Sequence, residues 1–122
     1  MRITVRRTVA AVAVTAAAAV LTTLGAGTAQ ASTWDNCPDG AVCVYGQDQP
    51  ANTPILTLWS YGPHNLSNMN GNHWVLNNQT GGAAAQLCDG YNGTGTCHDY
   101  MPSQTGVYAN LTPVNSIVLI RP

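Results

Sequence analysis

The chain has 122 residues, of which 45% are hydrophobic and only 7% are charged, and its formal net charge is −1. Three of the four basic residues stand at the amino terminus (Arg2, Arg6 and Arg7), so the rest of the chain carries a single basic residue, Arg121, against five aspartates. Nucleic acids and anionic membranes both bind proteins through clusters of lysine and arginine. The composition therefore excludes both as partners.

Residues 1–31 have the composition of a secretory signal peptide. The three arginines form a basic head, an apolar alanine-rich run follows, and the small residues "AQA" end at Ala31 as a cleavage site. The apolar run is short and no stop-transfer pattern follows it, which is unlike a transmembrane anchor. We expect the mature protein to begin at Ser32, to be secreted, and to form a single monomeric domain over residues 32–122.

Behind the predicted signal peptide, apolar residues occur in short runs and not at helical spacing. In chain order the runs are AVCVYG (41–46), PILTLWSY (54–61), HWVLNN (73–78), AAAQLCDGY (83–91) and NSIVLIR (115–121). Turn-forming pairs precede the first run (Asp39-Gly40) or separate later ones (Asn70-Gly71, Gly81-Gly82 and Asn92-Gly93). This pattern predicts an all-β sandwich or barrel. Tyr45, Trp59 and Trp74 lie within the runs, so we expect them to pack in the core.

Four cysteines follow the predicted signal peptide, at Cys37, Cys43, Cys88 and Cys97. Small exported domains use cysteines as disulfides, because their cores are too small to supply stability alone. Three pairings are open in principle, and the short separations favour the two local ones, Cys37–Cys43 and Cys88–Cys97. Each bridge would close a short loop and restrict the unfolded chain.

The two halves of the mature chain resemble each other faintly. Cys43 and Cys88 are separated by the same number of residues as Asn65 and Asn110, and "NLS" at Asn65 is matched by "NLT" at Asn110. An apolar run follows each of these motifs. The repetition predicts a duplicated Greek-key unit, with one motif at about 37–78 and the other at about 86–122.

The segment LCDGYNGTGTCHDY (87–100) concentrates the side chains that could carry chemistry. Cys97, His98 and Asp99 could bind zinc together with Cys88, but consecutive residues of a strand point to opposite faces and do not converge easily on one ion. A disulfide removes the thiolate that a cysteine nucleophile needs. No GxSxG motif occurs in the chain. We therefore predict no catalytic residue, no metal site and no cofactor, and do not expect an enzyme.

The block CPDGAVCVY, from Cys37 to Tyr45, resembles the opening of the streptomycete metalloproteinase inhibitor family, which begins with Cys-Pro-x-Gly-x-x-Cys-x-Tyr. The resemblance implies a βγ-crystallin-like Greek-key sandwich of two repeated motifs, stapled by disulfides. It also implies a secreted protein that inhibits an extracellular peptidase, and a metallopeptidase above all.

In that family the second cysteine pair closes a loop that enters the peptidase cleft, and the bond after the first cysteine is presented to the enzyme. The matching bond here is Cys88–Asp89, so the resemblance places the inhibitory loop at Cys88, Asp89, Gly90 and Tyr91. Asp89 is charged where the family has an apolar residue, and Tyr91 is the nearest side chain able to act as an apolar anchor. The alternative is a non-inhibitory crystallin-like protein of the cell exterior that is structural, wall-binding or growth-inhibiting. In that case the loop is a hairpin whose disulfide serves stability alone.

Overall fold

Seven antiparallel β-strands make up the architecture, which is seen in a computed structural model that describes residues 32–122. The predicted signal peptide at 1–31 lies outside the described residues. The strands are β1 Val42–Tyr45, β2 Pro54–Leu58, β3 Gly62–Asn65, β4 Asn72–Asn77, β5 Ala84–Cys88, β6 Thr105–Asn110 and β7 Ser116–Ile120. A 3₁₀ turn at Tyr91–Gly93 is the only helical element between residues 32 and 122. The all-β prediction is confirmed.

The strands form two sheets that exchange strands between the halves of the chain. One sheet has the order β2-β1-β4-β6 and the other has the order β3-β7-β5. Strand β3 pairs with β7 from the second half, in the register Gly62↔Leu119 to Asn65↔Ser116. Strand β6 pairs with β4 from the first half along its whole length. Each half of the chain therefore contributes one strand to the sheet that the other half dominates.

The main core lies between the two sheets. Strand alternation sends Val42 and Val44 of β1 inward, together with Val75 of β4 and with Ile117 and Leu119 of β7, and all five side chains are buried. The remaining buried members of this core are Leu58, Leu66, Ala85, Leu87, Met101, Leu111 and Val114. Because the core draws on strands of both halves, neither half buries its apolar face alone.

A second apolar cluster covers the outer face of the four-stranded sheet. Cys43, Tyr45 and Leu76 alternate with the core residues of β1 and β4, and they pack there against Cys37 and Ala41. The disulfide Cys37–Cys43, one of the two predicted pairs, ties the segment before β1 to this face. Strand β1 is thus buried on both faces, which explains why all four of its residues are buried.

The three aromatic residues expected in the core have different environments. Tyr45 is fully buried in the second cluster, and Trp74 is half-buried there with its ring centroid 5.3 Å from that of Tyr108. Trp59, in contrast, is 57% exposed, so the prediction that it packs in the core is wrong. Strand β2 ends at Leu58, and Trp59 lies where the chain leaves one sheet to enter β3 of the other.

Candidate functional site

The segment between Cys88 and Cys97, here called the clamped loop, is closed by the second predicted disulfide, whose Cα atoms lie 4.0 Å apart. Two backbone hydrogen bonds continue the closure into the loop. The amide of Asp89 donates to the carbonyl of Thr96 (2.9 Å), and the amide of Gly90 donates to the carbonyl of Thr94 (2.8 Å). The stem of the loop is therefore a short antiparallel ladder that extends from β5.

Two glycines allow the sides of the clamped loop to approach each other. A Cβ atom on Gly90 would stand 2.7 Å from the carbonyl oxygen of Thr94, and one on Gly95 would stand 2.8 Å from the amide nitrogen of Gly90. Gly95 also has a positive φ of 75°, which disfavours other residues. The glycine-rich composition of the segment follows from this close approach of backbone to backbone.

The clamped loop lies against the outer face of the three-stranded sheet. The amide of Gly93 donates to the hydroxyl of Ser116 (2.9 Å), and that hydroxyl donates to the carbonyl of Gly90 (2.6 Å). Asn65 of β3 accepts from the amide of Asn92 (2.7 Å) and donates to the Asn92 side chain (3.0 Å). Because β3 and β7 both hold it, the loop is fixed at its tip as well as at its stem.

The four residues that the resemblance placed in the inhibitory loop differ in their access to solvent. Cys88 is fully buried at the end of β5, and its carbonyl accepts a hydrogen bond from the amide of Asn115 (3.0 Å). Asp89 and Gly90 are half-buried, whereas Tyr91 is 55% exposed. The bond Cys88–Asp89 thus lies in the stem, and the exposed part of the loop begins at Tyr91.

The backbone carbonyls of this stretch are all engaged within the protein. The side-chain amide of Asn115 donates to the carbonyl of Asp89 (2.7 Å). The carbonyl of Tyr91 accepts from both the amide (3.2 Å) and the hydroxyl (2.6 Å) of Thr94. A peptidase that attacks Cys88–Asp89 would first have to break the hydrogen bond between Cys88 and Asn115. The exposed tip of the clamped loop comprises residues 91–96, of which all but the half-buried Gly93 are exposed.

The three histidine rings contact backbone carbonyls or a carboxylate. Nε2 of His98 lies 3.0 Å from Oδ1 of Asp89, and this pair is solvent-accessible. His64 contacts the carbonyl of Ser60, and the buried His73 contacts the carbonyls of Tyr45 and Asn70. Within residues 32–122 no histidine ring is hydrogen-bonded to a serine or threonine hydroxyl, and both cysteine pairs are oxidised.

No group of three or more histidine, cysteine, aspartate or glutamate residues between 32 and 122 is arranged to hold a metal ion. Over the same stretch, no helix has the length and apolar character needed to cross a bilayer. The two disulfides are compatible with an extracellular protein.

A group of exposed aromatic side chains was missed by the sequence patterns, because a tryptophan or tyrosine in an apolar run is more often buried. Trp59 and Tyr61 flank the crossing from β2 to β3, and the guanidinium of Arg121 lies 4.5 Å from the centre of the Tyr61 ring. Tyr100 is exposed just after the clamped loop. The exposure of these side chains depends on where the chain changes sheets.

Comparison of the chain with protein-family models, with curated proteins and with solved structures finds no match. The resemblance at Cys37–Tyr45 therefore has no support from a relative, and the function has to be argued from the geometry of the described residues.

Proposed function

We propose that the two halves of the protein are Greek-key motifs of a βγ-crystallin-like sandwich. In a Greek key the fourth strand returns to lie beside the first, with the second strand on the other side. In the first half, β1 lies between β4 and β2. In the second half, β5 lies between β7 and the short bridge at Met101. The order is the same in both halves, and the third strand of each half (β3 and β6) joins the other sheet. This shared order supports the proposed fold.

The function that we propose is inhibition of an extracellular peptidase by the secreted, monomeric protein, through the tip of the clamped loop. The resemblance at Cys37–Tyr45 favours a metallopeptidase as the target. The observation that carries the proposal is the exposure of Tyr91 on a loop that is otherwise held by a disulfide and by Asn65, Asn115 and Ser116. Tyrosine is enriched among residues that dominate binding energy, because it buries a large ring without losing much side-chain entropy.

The rigidity of the clamped loop strengthens this proposal. A flexible loop loses conformational entropy when a partner orders it, and this loss weakens binding. The disulfide and the hydrogen bonds from β3 and β7 have already ordered this loop in the free protein. We propose that Tyr91 enters an apolar pocket of the peptidase and that the loop blocks the cleft, with Cys88–Asp89 protected in the stem.

The test is a titration of the purified mature protein against a thermolysin-like metallopeptidase and against subtilisin. We expect inhibition of the metallopeptidase, and we expect Tyr91→Ala to weaken it by about tenfold or more. Tyr100→Ala is the matched control, because Tyr100 is a comparably exposed tyrosine (63%) outside the clamped loop. Absence of inhibition at micromolar excess would contradict the proposal, as would equal losses for the two variants.

A second candidate function, binding to a cell-wall polysaccharide without inhibition, is favoured by the exposed Trp59 and Tyr61. Exposed aromatic rings with a polar edge suit stacking against sugar rings. The measurement is co-sedimentation of the protein with insoluble peptidoglycan. If this function is correct, Trp59→Ala releases the protein from the pellet and Tyr91→Ala does not. If the inhibitor proposal alone is correct, neither the wild type nor either variant sediments with peptidoglycan.

A further inference from the structure

An apolar pocket of about 350 Å³ opens at one edge of the sandwich, between β6 of the four-stranded sheet and the chain around β5 of the other. Its apolar lining consists of Leu87, Met101, Val107, Ala109, Pro113 and Val114. Leu87, Met101 and Val114 also belong to the main core, so the pocket leads from solvent directly to the interior between the sheets.

The pocket exists because the three-stranded sheet is one strand narrower than its partner. In the first half, β2 pairs with β1 and places Leu58 in the core with Leu56 packed against it. At the corresponding position in the second half no regular strand forms, and the chain meets β5 only at two isolated bridges, Cys88 with Cys97 and Ala85 with Met101. Between Cys97 and Thr105, Met101 is the only residue that belongs to the main core, and the pocket opens beside its side chain.

The mouth of the pocket carries the polar residues His98, Asp99 and Asn110. Asp99 is exposed, and the one contact of salt-bridge length within residues 32–122 joins His98 to Asp89, so the Asp99 carboxylate makes no such contact in that range. Arg121, the one arginine or lysine in that range, lies over the Tyr61 ring. The mouth therefore presents the Asp99 carboxylate, which no arginine or lysine of residues 32–122 neutralises.

The size of the pocket limits what it can hold. An apolar cavity of about 150 Å³ is large enough for a benzene molecule. The volume here is about 350 Å³, which leaves room for one ring and a short chain. Typical ligand pockets are likewise apolar, with a few polar groups that fix the orientation of the ligand.

We propose that this pocket binds a small amine with an apolar body, which fills the space between the sheets while its ammonium group lies beside Asp99. This site is separate from the exposed tip of the clamped loop, and it does not depend on peptidase inhibition. The apolar lining selects the body of the ligand, and the unpaired carboxylate at the mouth selects the charge of its head.

The experiment is an NMR titration of the mature protein with three probes of similar shape: phenethylamine (cationic), 2-phenylethanol (neutral) and 3-phenylpropionate (anionic). We expect saturable shifts of the methyl signals of Met101, Val107 and Val114, with a Kd of the amine on the order of 1 mM, as expected for a fragment of this size. Because an exposed charge pair is weak, the amine should bind only about two- to fivefold more tightly than the alcohol. The anion should bind least.

Paired variants separate the two parts of the proposal. Ala109→Leu fills the pocket and should abolish the shifts for every probe, whereas Ala84→Leu, a half-buried alanine of β5 that does not line the pocket, should preserve them. Asp99→Asn should remove the preference for the amine without changing the affinity for the alcohol. Asp39→Asn makes the same change of net charge away from the pocket and should keep the preference.

Three results would overturn the proposal. The first is the absence of saturable methyl shifts in the wild-type protein with any probe at 10-fold excess over the expected Kd. The second is equal affinity for the amine and the alcohol, which would show an apolar site without selection for a cation. The third is self-association of the wild-type protein that Ala109→Leu removes, which would identify a second copy of the chain as the occupant.

Discussion

Tyr45 has its ring buried in the outer cluster and its hydroxyl bonded to the chain that covers it. The hydroxyl donates to the carbonyl of Asp35 (2.7 Å), so it holds the segment before β1 in place. Burial, and then the nearby charge of Asp35, raise the pKa of Tyr45 to about 12. The folded protein therefore keeps this proton at a pH where the unfolded chain, with a tyrosine pKa of about 10, releases it.

The pKa of Tyr45 predicts how stability depends on alkaline pH. Below about pH 10 the residue is protonated in both states and its contribution is fully present. Between about pH 10 and 12 only the unfolded state loses the proton, so the free energy of unfolding falls as pH rises, by at most about 2–3 kcal/mol. Urea unfolding from pH 8 to 12 should show a shallower fall for Tyr45→Phe than for the wild type. Equal slopes would contradict the assignment.

A part of the alkaline slope should remain in Tyr45→Phe. The pKa of Tyr108 is also raised, by desolvation and then by its hydrogen bond to Asp48 (3.2 Å) and the charge of that carboxylate. This effect has the same sign, because the folded state again holds the proton more firmly. The difference between wild type and variant therefore isolates Tyr45, whereas the slope of either protein alone does not.

Asn77 is a fully buried amide whose hydrogen-bonding groups are satisfied on both sides. Its Nδ2 donates to the carbonyls of Ala83 (3.2 Å) and Met101 (2.9 Å), and its Oδ1 accepts from the amide (3.1 Å) and the side chain (3.0 Å) of Gln79. It thereby joins the end of β4 to the segment that flanks β5. A residue that can only accept hydrogen bonds does not fit this position.

The substitution Asn77→Asp tests this role with almost no change of shape. At pH 7 the carboxylate would be buried against two carbonyl oxygens without a compensating charge, which costs roughly 3–5 kcal/mol. Asn72→Asp, in the same strand but exposed, should stay within about 0.5 kcal/mol of the wild type. The measurement is the free energy of unfolding in urea. A loss below about 1 kcal/mol for Asn77→Asp would show that the site can rearrange.

Among the structural elements, the two disulfides lie in different environments. Cys37–Cys43 lies in a buried apolar cluster, whereas Cys88–Cys97 closes a loop whose outer side is exposed. Both constrain the unfolded chain to a similar degree, because the loops that they close are both short. Their effects on the folded state should differ, since only the second one holds an exposed segment.

We expect the double variants Cys37→Ser/Cys43→Ser and Cys88→Ser/Cys97→Ser each to lose about 2–4 kcal/mol of stability. Only the second variant should also become sensitive to cleavage within residues 89–96, because the hydrogen bonds from Asn65 and Ser116 then hold the tip without the clamp. Limited proteolysis with mass spectrometry distinguishes the two. Cleavage of both variants at the same sites, outside the clamped loop, would argue against a clamping role.

At the scale of the whole molecule, the exchange of β3 and β6 makes the two halves interdependent. A fragment of residues 32–81 would leave β3 without a partner, and a fragment of residues 82–122 would leave β6 without one. An unpaired strand loses its backbone hydrogen bonds, and each half would also expose one side of the shared core. The folded domain is therefore expected to be one cooperative unit.

Separation of the chain between Gly81 and Gly82, which are both exposed, tests this interdependence. Each fragment alone should be unfolded by circular dichroism, and an equimolar mixture should regain the β spectrum and the dispersed NMR signals of the intact protein. Independent folding of either fragment would mean that the exchanged strand is dispensable. It would also argue against the proposed pair of interlocked motifs.

The all-β class and five of the seven strands could be predicted from the sequence, and the two local disulfides were favoured by it, because these features depend on residues that are close along the chain. It did not predict β3 (GPHN) or β6 (TGVYAN), whose glycine, proline and asparagine residues disfavour strands until a partner strand supplies hydrogen bonds. The exposure of Trp59, the position of Cys88–Asp89 in the stem and the pocket beside Met101 could be seen only in the folded chain. Each of these depends on which strands of the two halves meet, and this depends on contacts between residues distant in the sequence.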